Sequence, residues 1–336
     1  MRVHVFSAKP YDRRFFDSAN AGGRHDLEYF ETALNERTAA LAGGADAVCT
    51  FVNDQVDAAT LETLARHGVR AVALRCAGFN NVDLAAAGRL GVRVVRVPAY
   101  SPHAVAEHTM ALILSLDRRI HRAYQRVRDQ NFSLEGLLGF DLHGRTAGVI
   151  GTGRIGTIVA GLLAAFGCTV LAHDPVRNPG AVAAGVRYVT LDELFEGSDI
   201  ITLNCPLTPE TRHLIDAVAI AAVKPGVMLV NTGRGALIDT GAVVAGLKSG
   251  CIGSLAIDVY EEEASLFYED RSSQVLADDV FARLLTFPNV LVTAHQGFFT
   301  YEALTAIAET TLSNLDDVAA GRICTNEVTV HEVTAA

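Results

Sequence analysis

Apolar residues in this chain fall into short continuous runs, separated by longer stretches in which they recur every three or four positions. Short runs bounded by glycine or polar residues read as strands buried on both faces, and the longer stretches read as helices. In the first hundred residues this pattern predicts strands at 3–6, 47–50, 71–75 and 92–95, with a helix over 58–67. A second series predicts strands at 146–150, 169–172, 200–203, 227–230, 254–257 and 290–292. Helices at 155–166, 191–195 and 242–248 fall between them. Alternating strands and helices imply parallel sheets with right-handed crossovers. The expected fold class is α/β, with two doubly wound parallel-sheet domains and a cleft between them.

The boundary is expected near residue 100, in Pro98-Ala99-Tyr100-Ser101-Pro102. Ser101 can cap a helix with Pro102 at its first position, where the missing N–H is not needed. Val105, Thr109, Leu112, Ile113, Leu116 and Ile120 continue that helix at the right spacing. The last helix, 302–318, is expected to return to the first domain. Residues 1–100 and 298–336 then form one domain and 101–297 the other. Residues 131–143, with several glycines, read as an irregular arm.

The most specific local signal is Gly151-Thr152-Gly153-Arg154-Ile155-Gly156, which follows a strand, opens a helix and is followed by a second strand ending at Asp174. In that context the glycines provide a tight turn, close approach of backbone to a pyrophosphate, and close helix–strand packing. The helix N-terminus offers unpaired N–H groups to the phosphates. Asp174 suits the adenosine ribose hydroxyls and would repel a 2′-phosphate, so the expected cofactor is NAD. Arg177 is close enough in sequence to soften that exclusion.

Half of the chain is hydrophobic and a fifth charged, as in ordinary globular proteins. A formal net charge of −10 argues against nucleic acid as a partner. The arginines at 118, 119, 122, 126 and 128 are a local exception and read as a solvated or subunit-contacting helix face. Six cysteines without paired spacing suggest reduced thiols in a cytoplasmic protein, with no metal site. The longest apolar stretch, 158–172, is broken by glycines and too short for a membrane span.

Three polar residues follow successive strands of the second series: Arg234, Glu263 and His295. Strand ends of a parallel sheet converge on its ligand, which makes them a candidate catalytic group. Hydride transfer to a 2-keto acid needs a fork for the carboxylate, a proton donor for the carbonyl oxygen, and a carboxylate to orient and charge that donor. Arginine, histidine and glutamate supply these functions.

The chain resembles the D-isomer-specific 2-hydroxyacid dehydrogenases over most of its length. The resembling segments include Arg75-Cys76-Ala77-Gly78-Phe79-Asn80-Asn81-Val82-Asp83, Ala104-Val105-Ala106-Glu107-His108 and Asn231-Thr232-Gly233-Arg234-Gly235-Ala236-Leu237-Ile238-Asp239. Asp258-Val259-Tyr260 with Glu263, and His295-Gln296 with Phe298, extend the match. The resemblance implies a Rossmann-type NAD domain and a flavodoxin-like substrate domain, with Arg234, Glu263 and His295 catalytic. It implies substrate contacts from the backbone of Ala77 and Gly78 and from Tyr100, Phe51 and Phe298. For NAD it adds Arg154, Ile155, Cys205, Pro206, Thr211, Thr232, Gly233 and Asp258 to Gly151, Gly153, Gly156 and Asp174. It also implies a small substrate of the pyruvate/lactate kind and a homodimer or homotetramer. Other small 2-keto acids (hydroxypyruvate, glyoxylate, larger analogues) and a non-catalytic NAD-sensing role stay open at this point.

Overall fold

The chain divides into two compact units, Met1–Ser101 with the segment from Phe299 onward, and Pro102–Phe298. The computed structural model describes residues 1–330. Both crossings fall one residue later than expected, so Ser101 closes one unit and Phe298 the other.

The first unit runs β1 (Arg2–Val5), α1 (Pro10–Ala19), β2 (Asp26–Tyr29), β3 (Ala47–Thr50), α2 (Ala58–Arg66), β4 (Ala71–Leu74), α3 (Leu84–Leu90) and β5 (Arg93–Arg96). All strand pairs are parallel, in the order β2-β1-β3-β4-β5. This is the flavodoxin-like order, with its switch point between β1 and β3. β3 and β4 are buried along their whole length, which is why their residues form apolar runs without alternation. Three elements lay outside the apolar pattern. β2 is an edge strand with alternating exposure. α1 buries only Asp12 and Phe16 and is started by Pro10 and by the Asp12 carboxylate, which accepts the Lys9 N–H at 2.9 Å. α3 is short and set by its ends: Asp83 takes the Ala86 N–H, and Gly91 stops it with a φ of 68°.

The second unit opens with α4 (Pro102–Asp117) and α5 (Ile120–Arg128), followed by an irregular stretch up to β6 (Thr146–Ile150). It continues α6 (Arg154–Ala165), β7 (Thr169–His173), α7 (Pro179–Ala183), β8 (Arg187–Tyr188), α8 (Leu191–Gly197) and β9 (Ile200–Leu203). Then come α9 (Ala217–Ala222), β10 (Val227–Asn231), α10 (Thr240–Ser249), β11 (Ile252–Ile257), α11 (Asp279–Leu285) and β12 (Val290–Val292). The seven strands are parallel in the order β12-β11-β10-β9-β6-β7-β8. That is the dinucleotide-binding order with one added strand, and its switch point lies between β6 and β9. One core layer joins α4 and α6 through Met110, Ile113, Val159 and Leu163. The opposite layer contains Leu194, Ile220, Leu247 and Leu284 of α8 to α11. α5 has no buried residue.

α12 (Tyr301–Ala319) belongs to the first unit, where it packs on α1, β4 and β5 through residues such as Leu312 and Leu315. Among the described residues no helix is long and apolar enough to cross a membrane.

Candidate active site

The chain leaves β6 through Gly151, whose φ of 90° suits glycine. A Cβ there would lie 2.5 Å from the Cys205 N, and one on Gly156 would lie 1.9 Å from the Gly151 carbonyl oxygen. These two glycines let the turn lie against both α6 and the loop after β9. Gly153 is different: it is the N-cap of α6, has no capping side chain, and a Cβ on it would meet only open space. Packing does not require glycine there. The bare helix N-terminus there is open to a phosphate group.

Asp174 follows β7 directly. Its Oδ2 accepts the Thr152 N–H at 2.7 Å and the Thr152 hydroxyl at 3.2 Å, and its Oδ1 accepts the Val176 N–H at 2.9 Å. The carboxylate is thus tied to the glycine turn, with lone pairs left for ribose hydroxyls. On the β9 side, Asn204 carries a buried Oδ1 without a partner among the described residues. Burial pushes the Cys205 thiol up to about 11, so this wall is uncharged. Thr211 donates to the Pro206 carbonyl at 2.7 Å and accepts the Thr208 N–H at 2.8 Å, bracing the loop from within. Arg177 lies over the Tyr188 ring at 5.7 Å, and the Tyr188 hydroxyl reaches that of Thr152 at 2.7 Å. Bare helix N–H groups, a ribose-type acid and an orphaned polar atom together fit a dinucleotide.

The remaining chemistry follows β10, β11 and β12, which are neighbours. Arg234 is held by fully buried Asn231, whose Nδ2 donates to the Arg234 carbonyl at 2.8 Å while its Oδ1 accepts the Gly233 N–H. The Arg234 guanidinium donates to the Gly233 carbonyl at 2.8 Å and makes no pair with Asp239, which instead caps α10. Thr232 turns its hydroxyl inward to Thr109 of α4, 2.8 Å away. A Cβ on Gly235 would lie 2.1 Å from the Tyr260 carbonyl carbon, so the Arg234 loop rests directly on the chain leading to Glu263.

Glu263 joins the two sides of this group. Its Oε2 accepts the Tyr260 N–H at 2.9 Å and its Oε1 lies 2.8 Å from His295 Nδ1. Nε2 of His295 has no protein partner among the described residues. The Tyr268 hydroxyl donates to the His295 carbonyl at 3.4 Å, and the Phe298 ring stands edge-on to the imidazole at 6.5 Å. Glu261 pairs with Arg212 and His213, so its charge is matched there and does not add to that beside His295.

His295 has a φ of 52°, uncommon for a side-chain-bearing residue. Asp258, 1 % exposed, maintains it: its Oδ1 accepts the Thr293 hydroxyl at 2.7 Å and the Gln296 N–H at 2.8 Å, and its Oδ2 the Gly297 N–H at 2.9 Å. His108 Nε2 of α4 lies 3.2 Å from the same carboxylate. Burial pushes the Asp258 carboxyl up, but hydrogen bonds from His108 and Thr293 outweigh it and hold the group below the usual carboxylate range.

In the first unit, Phe51 and the Ala77–Gly78 pair follow β3 and β4, and Tyr100 follows β5. Arg96 donates to the Ala77 carbonyl at 2.8 Å and the Cys76 thiol to the Gly78 carbonyl at 3.3 Å. Neither amide N–H of this pair finds a protein acceptor among the described residues, leaving two donors for an anion. Sequence reasoning gave no role to His108, Tyr268, Thr293, Asn231 or Gly235. His108, Asn231 and Gly235 stand within the resembling segments, but no local signal gave them a task. No group of metal-ligating side chains assembles among the described residues.

A dinucleotide turn at the switch point, with an arginine and a histidine–glutamate pair at neighbouring strand ends, defines a pyridine-nucleotide dehydrogenase. Residues 110–297 match the model of the D-isomer specific 2-hydroxyacid dehydrogenase, NAD binding domain, and the chain belongs to that family. It is 55 % identical to a 2-hydroxyacid dehydrogenase homolog of Haemophilus influenzae, with 98 % of this chain and 99 % of the other aligned. It is 54 % identical to the D-lactate dehydrogenase of Escherichia coli, covering 98 % and 100 %. The apo-structure of D-lactate dehydrogenase from Escherichia coli superposes with a TM-score of 0.90 at 52 % identity, covering 98 % and 100 %.

Gly153→Ala should keep the melting temperature and weaken NADH binding about tenfold, whereas Gly156→Ala should cost about 1–3 kcal/mol of stability by overpacking. Calorimetric titration and thermal melts separate the two; unchanged NADH affinity in Gly153→Ala would exclude the helix N-terminus as the phosphate site. A second prediction concerns acid. Because folding lowers the Asp258 pKa, its stabilisation is complete above the unfolded carboxylate value near about 4 and disappears as pH falls below it. Asp258→Asn should be less stable at neutral pH, with a flatter decline below about pH 4 in denaturant titrations. Parallel acid limbs would contradict this.

Proposed function

We propose that the protein is an NAD-dependent D-lactate dehydrogenase, interconverting pyruvate and D-lactate, with the first unit as substrate domain. The observation that carries the chemistry is the His295–Glu263 pair at 2.8 Å with Nε2 left free. The choice of pyruvate is supported by the full-length similarity to the Escherichia coli enzyme. NADH, when bound, supplies the hydride that C2 of the keto acid accepts. Arg234 takes the substrate carboxylate in its planar fork, assisted by the Ala77 and Gly78 N–H groups. His295 gives the Nε2 proton to the carbonyl oxygen and recovers it in the reverse direction. Glu263, 2.8 Å from Nδ1, fixes the orientation of the ring and so the direction of Nε2. Phe51, Tyr100 and Phe298 border the methyl side of the substrate. The adenosine end of NAD lies along Gly151 to Gly156 and Asp174, with Arg154, Ile155, Cys205, Pro206, Thr211, Thr232, Gly233 and Asp258 completing the cofactor wall.

The deciding experiment measures kcat/KM with NADH across a panel of 2-keto acids, with the chirality of each product. Pyruvate should lead and give D-lactate; L-lactate, or no reduction of any keto acid, would reject the reading. His295→Gln should lower kcat by about 10²–10⁴, and Arg234→Ala should act mainly on pyruvate saturation.

We further propose a cytoplasmic homodimer or homotetramer assembled through α5 and the arm that follows. Ile120, Tyr124 and Val127 of α5, with Phe132, Leu134 and Leu138 beyond it, are large apolar side chains left exposed in the single chain. The cysteines, none in a disulfide among the described residues, suit a reducing compartment. Phe132→Asp with Leu134→Asp should convert the oligomer to monomer in sedimentation velocity; an unchanged assembly would exclude this face.

A further inference from the structure

The sheet of the first unit has its own switch point between β1 and β3, the place where such folds hold ligands. Here that place is taken by a side chain of the protein. Arg75 follows β4 directly, is 1 % exposed, and reaches back past β3. Its Nη1 donates to the Phe6 carbonyl and its Nη2 to the Ser7 carbonyl, both at 2.9 Å, just beyond β1. Its Nε lies 3.2 Å from Asp12 Oδ1 of α1, in ion-pair range but off line for a hydrogen bond. The guanidinium carbon lies over the Phe51 ring, 4.7 Å from its centroid.

A buried cation costs several kcal/mol unless it is matched. Burial works against the charge, but Asp12 first and Asp54 after it keep Arg75 protonated, with its pKa raised. A methionine would fill similar space without that cost, so mere packing does not explain the arginine. What only a guanidinium provides is a fork for two carbonyls and a flat charged face for an aromatic ring. The Phe51 backbone is fastened as well: its N–H donates to Asp54 Oδ2 at 2.6 Å and its carbonyl accepts from Asn81 Nδ2 at 3.1 Å. The same Asp54 takes the Ser7 hydroxyl, closing the ring of contacts around the crevice. Backbone and ring of Phe51 are thus both held by groups lining this crevice.

We propose that Arg75 is a positioning residue that fixes the Phe51 ring and thereby limits the size of the keto-acid side chain the enzyme accepts. The proposal rests on the dehydrogenase reading above, in which Phe51 borders the substrate. Arg75 acts through Phe51 and touches no reacting atom.

The test compares kcat/KM for pyruvate with that for a 2-keto acid bearing an isobutyl side chain, in wild type, Arg75→Met, Arg75→Lys, Phe51→Leu and Arg75→Met/Phe51→Leu. Phe51→Leu and Arg75→Met should each lower the preference for pyruvate about tenfold, the scale of small pocket changes. The double variant should show no more than the larger single effect, because both changes release the same ring. Arg75→Lys keeps the charge but loses fork and flat face, so it should shift the ratio in the same direction. It decides the matter if Arg75→Met does not fold. A merely structural role would lower both rates together and leave their ratio unchanged; that result, or single effects that multiply in the double variant, overturns the proposal. Wild-type protein that reduces neither acid would overturn the dehydrogenase reading itself, and this inference with it.

Discussion

The arrangement of the second unit depends on one carboxylate, that of Asp258. It leaves the end of β11 and gathers the hydroxyl of Thr293 and the N–H groups of Gln296 and Gly297. Between those anchor points the chain is forced through His295 with positive φ. A side-chain-bearing residue in that region costs about 1–3 kcal/mol. Hydrogen bonds to a charged group contribute about 1.5–3 kcal/mol each, so several of them outweigh the strain. The His108 contact adds an opposing charge from α4. The imidazole then meets Glu263 through Nδ1 and keeps Nε2 for other use.

Close approach of backbone to backbone does the rest. The turn after β6 lies on the chain after β9 because Gly151 has no Cβ, and the turn after β10 lies on the chain after β11 because Gly235 has none. The loops at this sheet edge therefore brace one another in pairs. Arg234 is held by Asn231 below and by the Tyr260–Glu261 backbone beside Gly235. Displacing one loop displaces its neighbour, so geometry at the edge is collective even though each contact is local.

This explains which parts were legible in the sequence. Parallel strands buried on both faces announce themselves as apolar runs, and those of β3, β4, β6 and β9 fell within a residue of their observed positions. The glycine string and Asp174 were readable because their spacing along the chain reflects one contiguous turn. β2, α1 and α3 were not, since an exposed edge strand and helices with little buried surface lack that pattern. Asp258 was marked as a cofactor contact, yet the partners of its carboxylate lie as far away in sequence as His108 and Gly297. No local signal encodes such a task. Tyr268 is a similar case, brought to His295 by a segment without periodicity.

The two sheets show the same topological rule used in opposite ways. Each reverses its strand order once, and each reversal opens a crevice at the carboxyl ends of its strands. In the second unit no side chain fills the space at Gly153, where a Cβ would touch nothing. In the first, Arg75 closes the crevice, with its charge matched by buried acids and its face given to Phe51. An open crevice suits a large ligand that brings its own phosphates to a helix N-terminus. A closed one has no such space, and the Ala77 and Gly78 N–H groups beside Arg75, without protein acceptors among the described residues, suit a small anion such as a carboxylate. Under the proposed function, a division of labour between cofactor and substrate follows from what fills each switch point, with no difference in the architecture of the sheets required.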